Sequence, residues 1–232
     1  MTEHTVKSFG VELDALSAEV ARMGGVAESQ VADCITAVVR RDTALAQSVI
    51  ERDAKVDTLQ HEIERRVLRL MALRQPVAID LRETLSALKI AGDLERIGDL
   101  AKSVSKRTLA LNQGDPIQLT RGIERMGRVA GAHLKQVLDA YAKRDVHLAL
   151  GVWYQDEEID AHYNSLFREL LTYMMEDART ISRCAHLLFI AKNIERIGDH
   201  CTNIAESVHF LVTGEELTAD RPKIDEDERT PG

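Results

Sequence analysis

Proline is scarce, at four residues in 232, and aromatic side chains make up only 4% of the chain. A composition this poor in both gives little support to β-sheets or long irregular loops. No long hydrophobic run is present either: the longest strongly apolar stretch, Ala185 to Ala191, is far too short to span a bilayer. The N-terminus, MTEHTVKSFG, lacks the apolar segment of a secretory signal, so a cytoplasmic location is expected. Cys34, Cys184 and Cys201 have no CxxC spacing, which excludes a zinc or disulfide framework and fits reduced thiols. An excess of positive charge is missing as well. With 30 basic against 38 acidic residues and a net charge of −8, the chain is not a general nucleic-acid binder and is unsuited to adsorb directly on anionic lipid. Any membrane association is expected through protein partners. Glycine-rich phosphate loops, a Ser–His–Asp order and nucleotide fingerprints are absent, so neither an enzyme nor an organic cofactor is expected.

What the sequence does have is helix formers and a repeat. Leu, Ala, Glu, Arg and Ile dominate. One hundred positions apart, Leu88 matches Leu188, Ile90 matches Ile190 and Ala91 matches Ala191, and the string ERIGD is identical at Glu95–Asp99 and Glu195–Asp199. Upstream the offset is 103: Arg41-Asp42 pairs with Arg144-Asp145, Val49 with Val152, Asp53 with Asp156, Asp57 with Asp160 and Arg65 with Arg168. A co-linear series of this kind means internal duplication, with a three-residue indel near Arg74–Pro76.

Apolar spacing predicts three long helices per copy, hence an all-α fold of two tandem three-helix bundles. The expected units are 1–113 and 114–213, followed by an acidic mobile tail, 214–232. In the first copy a helix bent or loosened at Gly24-Gly25 is followed by one starting near Asp42 and stopping before Pro76, then by one from Val77 to Leu111. In the second, Asp115-Pro116 reads as an N-cap with proline at the first helical position, and helices are expected over 117–143, 145–176 and 178–212.

The third helix of each copy carries acids where an apolar stripe should continue. Leu81, Leu85 and Leu88 lead into Gly92, Glu95 and Asp99, and Ile181, Ala185 and Leu188 lead into Glu195, Asp199, Asn203 and Glu206. Carboxylates at i and i+4 lie one turn apart and repel unless a cation sits between them. The second helix repeats the spacing with Asp53 and Asp57, and with Asp156 and Asp160. Antiparallel packing of the two helices would converge four carboxylates per unit, a donor set for a hard or borderline divalent or trivalent ion. Iron, manganese, magnesium and zinc all stay open. Gly98 and Gly198, inside these helices, suggest close approach of a neighbouring backbone. The plainer alternative is that the acids are solvated and pair with Arg52, Lys55, Arg96 or Arg196. His61, His162 and His200 do not recur between copies and read as packing or surface residues, as do Trp153 and Tyr154.

ERIGD in a duplicated three-helix chain, with the second copy continuing HCTNIAE and RQPVAIDLR at Arg74–Arg82, closely resembles the PhoU family of phosphate-specific transport accessory proteins. The resemblance implies a dimeric cytoplasmic regulator that restrains the phosphate-starvation response through a phosphate ABC transporter and a sensor histidine kinase. It also implies metal binding through the family's E/D-xxx-D motif, which falls on Glu95 and Asp99 and on Glu195 and Asp199. The first copy departs downstream, with Ser103 and Lys106 where the second has Asn203 and Glu206, so tighter cation binding is expected in the second. Two competing readings are a metal-dependent hydrolase of phosphorylated compounds and a metal-free helical adaptor.

Overall fold

The computed structural model describes residues 2–116 and 120–217, with side chains described from residue 10 onward. Among these residues there is no strand. The helices are α1 (Thr2–Arg40), α2 (Thr43–Arg74), α3 (Ala78–Asn112), α4 (Thr120–Lys143), α5 (Val146–Tyr154), α6 (Asp156–Glu176) and α7 (Ile181–Thr213), with a 3-10 turn at Ala178–Thr180. No helix among the described residues is long and apolar enough to cross a membrane.

The six expected rods are present, one of them interrupted. Gln155 leaves helical geometry (φ −97°, ψ 8°) and divides the fifth rod into α5 and α6. Its N–H bonds the Val152 carbonyl in a tighter turn, while Asp156, Glu157 and Glu158 crowd the first turn of α6, where acids favour a helix start. Gly24-Gly25 does not break α1, which runs from Thr2 to Arg40 as one helix. A side chain at Gly24 would collide with Leu138 of α4, so this glycine serves packing between helices. The expected start of the fourth rod at residue 117 and most of the acidic tail lie outside the described residues.

The shared Arg-Asp dipeptides close and reopen the chain in the same way in both copies. Arg41 and Arg144 adopt left-handed backbone (φ 55° and 53°) just past α1 and α4. The following N–H groups of Asp42 and Asp145 reach back to the Ala37 and Ala140 carbonyls, each at 2.9 Å, which satisfies helix-end carbonyls. Each aspartate then caps the next helix: Asp42 accepts from the Leu45 N–H, and Asp145 from those of His147 and Leu148.

α1, α3, α7 and α4 form a closed ring in which each helix touches the next. α2 lies outside against α1 and α3, and α5–α6 lies outside against α4 and α7. The predicted inner stripe of α3 (Ile90, Leu94, Ile97, Ala101, Val104) and that of α7 (Ile190, Ile194, Ile197, Cys201, Ile204) are fully buried. Both belong to one apolar core that runs through the two repeats. Cys34, Cys184 and Cys201 are buried free thiols, and burial pushes those of Cys34 and Cys201 well up.

One buried ion pair ties the repeats together. The Glu83 carboxylate on α3 is 5% exposed and accepts from Arg144 at 2.6 Å and from the Ser17 hydroxyl at 3.1 Å, while Tyr141 donates to Ser17. Removing one partner of such a pair strands the other charge. Arg144→Ala is therefore expected to lower the unfolding free energy by about 2–3 kcal/mol, with Arg144 itself half-exposed. Urea denaturation would measure the loss, and adding Glu83→Gln to that variant should restore part of it.

Candidate functional site

The acids of the outer and inner helices meet in each repeat. In the second, Asp156 and Asp160 on α6 lie within electrostatic reach of Glu195 and Asp199 on α7. In the first, Asp53 and Asp57 on α2 face Glu95 and Asp99 on α3. Gly98 and Gly198 open the space for this approach, and the groups that use it are side chains instead of the backbone expected. A Cβ on Gly98 would meet the Gln30 oxygen at 3.2 Å, Val56 at 3.3 Å and the Asp53 carboxylate at 3.5 Å. One on Gly198 would clash with Ile159 at 2.6 Å.

The two sets are neutralised differently. Asp53 is 2% exposed, and the Lys102 ammonium donates to it at 2.5 Å while standing 3.6 Å from Asp99. Burial raises the Asp53 carboxyl above its ordinary value, and the Lys102 hydrogen bond opposes that rise. Lys102 is raised in turn, chiefly by that bond. In the second set the position one hundred residues on is Thr202, whose hydroxyl donates to Asp156 at 2.9 Å and brings no charge. The nearest ammonium, Lys192, pairs at the margin with Glu195 Oε1 at 2.7 Å. The other Glu195 oxygen is buried without a hydrogen-bond partner. Burial, followed by Glu195, Asp156 and Asp199, pushes the Asp160 carboxyl up to about 6. Burial also raises Glu195, against the pull of Lys192.

Asn203 and Glu206, expected to extend the second set, face elsewhere. Asn203 donates to Asp93 of α3 at 3.2 Å, and Glu206 accepts from the Trp153 indole at 3.3 Å. The expected partners Arg52 and Arg96 contribute little: Arg52 pairs with Asp33, and Arg96 reaches Glu95 only at 3.5 Å. His200 bonds Asp93 at 2.9 Å. Lys102, Lys192 and Thr202 were the residues missed. The signal for the first lay in the repeat register, which sets lysine opposite threonine three residues past the ERIGD aspartates.

Whether a metal ion fits differs between the repeats. Among the described residues no three His, Cys, Asp or Glu side chains converge closely enough to hold an ion as they stand. The first set does not fit one, because an ammonium occupies the gap between Asp53 and Asp99. The second supplies what a cation needs, an all-oxygen donor set with an orphaned carboxylate oxygen and repulsion that Lys192 relieves only at the margin.

Two copies of a PhoU domain describe most of the chain: that family model matches residues 20–108 and 123–208. This chain thus belongs to the PhoU family, and its tandem three-helix bundles are the two PhoU domains. It is 64% identical over 226 residues to the phosphate-specific transport system accessory protein PhoU homolog of Caulobacter vibrioides, covering 97% of this chain and 98% of that one. The homolog of the same name from Rhizobium meliloti is 50% identical, over 96% of this chain and 94% of its own length. The crystal structure of PhoU from Pseudomonas aeruginosa superposes with a TM-score of 0.87 at 39% identity, covering 89% of this chain and 100% of that one. That of the phosphate transport system regulatory protein PhoU from Streptococcus pneumoniae gives 0.84 at 28%, covering 91% and 100%.

The raised Asp160 carboxyl makes stability depend on pH. Unfolded, it titrates at its ordinary 3.8; folded, at about 6, so the folded state holds the extra proton between these values. Stability is therefore lost as pH rises from about 4 to about 6, and the cost persists above that. In chelator-treated protein Asp160→Asn should remove a cost of about 1 kcal/mol, allowing for solvent screening. The expected rise in thermal midpoint is about 2–4 °C at pH 7.5, with none at pH 4. A lower midpoint at pH 7.5 would contradict the repulsion.

Proposed function

We propose that this chain is a cytoplasmic regulator of phosphate uptake that restrains the phosphate-starvation response. In this reading it works as a homodimeric adaptor between a phosphate transporter and its sensor histidine kinase, without catalysis of its own. The observation that carries the reading is the 64% identity, over nearly the full length of both chains, with a relative named as an accessory protein of phosphate-specific transport. The regulatory name of the Streptococcus pneumoniae neighbour supports it.

Within that role the second repeat is the cation-responsive half. Asp156, Asp160, Glu195 and Asp199 would hold a metal ion, which would add positive charge beyond the single marginal ammonium of Lys192. The first repeat follows the metal-free alternative: Lys102 already joins α2 to α3 through Asp53 and Asp99, a resident counter-ion that requires no metal. The stronger second site thus rests on threonine in place of lysine at position 202, with Asn203 and Glu206 playing no part.

Deleting the gene should switch on starvation genes in phosphate-replete medium. Unchanged expression there would remove the regulatory assignment. Under limiting metal, Asp199→Asn should lose bound metal while Asp99→Asn loses none. Lys102→Met should be destabilised and, unlike the parent, should bind a further metal equivalent that raises its melting temperature, read by elemental analysis and calorimetry. A larger metal loss from Asp99→Asn would reverse the ranking, equal loss from both would abolish it, and no loss from either would favour the metal-free reading.

A further inference from the structure

α3 and α7 run antiparallel along a polar seam. Asn193 donates to Ser103 near one end, and Asp93 meets His200 and Asn203 near the other. Cation–π contacts clamp both ends, Arg107 over Phe189 and Lys89 over Phe210. Each side of the seam opens into a pocket, and the duplication relates the two.

The pockets have opposite character. One, of about 320 Å³, contains Asp93 and Glu206. The other, of about 380 Å³, is lined by Arg96, Lys102, Lys106, Arg196 and His200, with Asp99 its single carboxylate. Lys106 stands where the first pocket has Glu206, and Asn193 where it has Asp93. Four basic side chains other than histidine thus gather around one acid in a chain of net charge −8. Lys102 is engaged by Asp53 and Asp99, and Arg96 reaches Glu95 only at 3.5 Å. Arg196 and Lys106 are exposed and make no ion pair among the described residues. Like charges collected in a concave, partly enclosed site repel one another and draw in an anion. The volume suits a small ligand.

We propose that this basic pocket binds a small multivalent phosphate. Guanidinium groups engage oxyanions through paired hydrogen bonds. Arg96 and Lys106 approach from α3 and Arg196 from α7, so acceptors must face both walls. A tetrahedral phosphoryl group presents oxygens in both directions, whereas a carboxylate confines them to one plane. The inference is independent of the regulatory role and of the second repeat's carboxylate set, and shares only Asp99 and Lys102 with the first.

The test is isothermal titration of chelator-treated full-length protein at low ionic strength, with inorganic phosphate and pyrophosphate as probes. Chelator treatment keeps metal-bridged phosphate in the second repeat out of the measurement. Saturable binding of one anion per chain is expected, pyrophosphate tighter. Arg196→Gln and Lys106→Gln should each weaken it about tenfold. Arg128→Gln, an exposed change on α4 away from the pocket, should leave it unaltered. No binding at millimolar probe, equal weakening by Arg128→Gln, or citrate binding as tightly as pyrophosphate would each overturn the proposal.

Discussion

Carboxylates at the margin of an apolar helix pair need positive charge, and that requirement shapes both repeats. Acids at i and i+4 on two facing helices repel across a partly buried gap. The first repeat meets the requirement covalently: Lys102 delivers an ammonium to the buried Asp53 and to Asp99. The second keeps Thr202 in that place, so only Lys192 at the margin opposes the rise of Glu195 and Asp160, and one Glu195 oxygen is left without a hydrogen-bond partner. Duplicated scaffold and duplicated acids therefore do not amount to duplicated chemistry, and a single residue separates a permanently neutralised joint from one open to regulation by a cation.

The same divergence marks the seam between repeats. Its internal symmetry survives in the Asn193–Ser103 and Asn203–Asp93 bonds, while the two cation–π clamps use pairs of positions that do not correspond between the copies. Its charge does not: Lys106 faces Glu206 across the pseudo-axis, and Asn193 faces Asp93. Packing positions common to both copies kept their residue types, because the α3 and α7 stripes fill one continuous core where volume changes are costly. Seam positions outside that core were free to change charge.

The helices and their inner faces were legible because 3.6-residue periodicity reports burial directly, as Ile90, Leu94 and Ile97 illustrate. The Arg-Asp pair at each first turn was readable as a repeat, and its reason, a left-handed helix end followed by a cap, became apparent only from the backbone. The break at Gln155 carried no proline or glycine to announce it. That the acids of the second and third helices come within electrostatic reach of one another followed from spacing and antiparallel packing. Which cation stood between them did not, since a lysine three residues along a helix reaches inward or outward according to what its neighbour helix offers. Asn203 and Glu206 were misplaced for the same kind of reason: a wheel orders directions around one axis and does not tell which neighbouring helix occupies each.

The ring of α1, α3, α7 and α4 bears on how such a chain arose. Each repeat contributes two walls of that ring and covers only its own outer helix. A lone three-helix unit would leave the inner faces of its first and third helices wet, an apolar surface continuous with the whole core. A lone unit would need a second copy of itself to close the ring. Fusion made the two copies inseparable in space while freeing them to diverge in sequence, which a pair of identical subunits can never do.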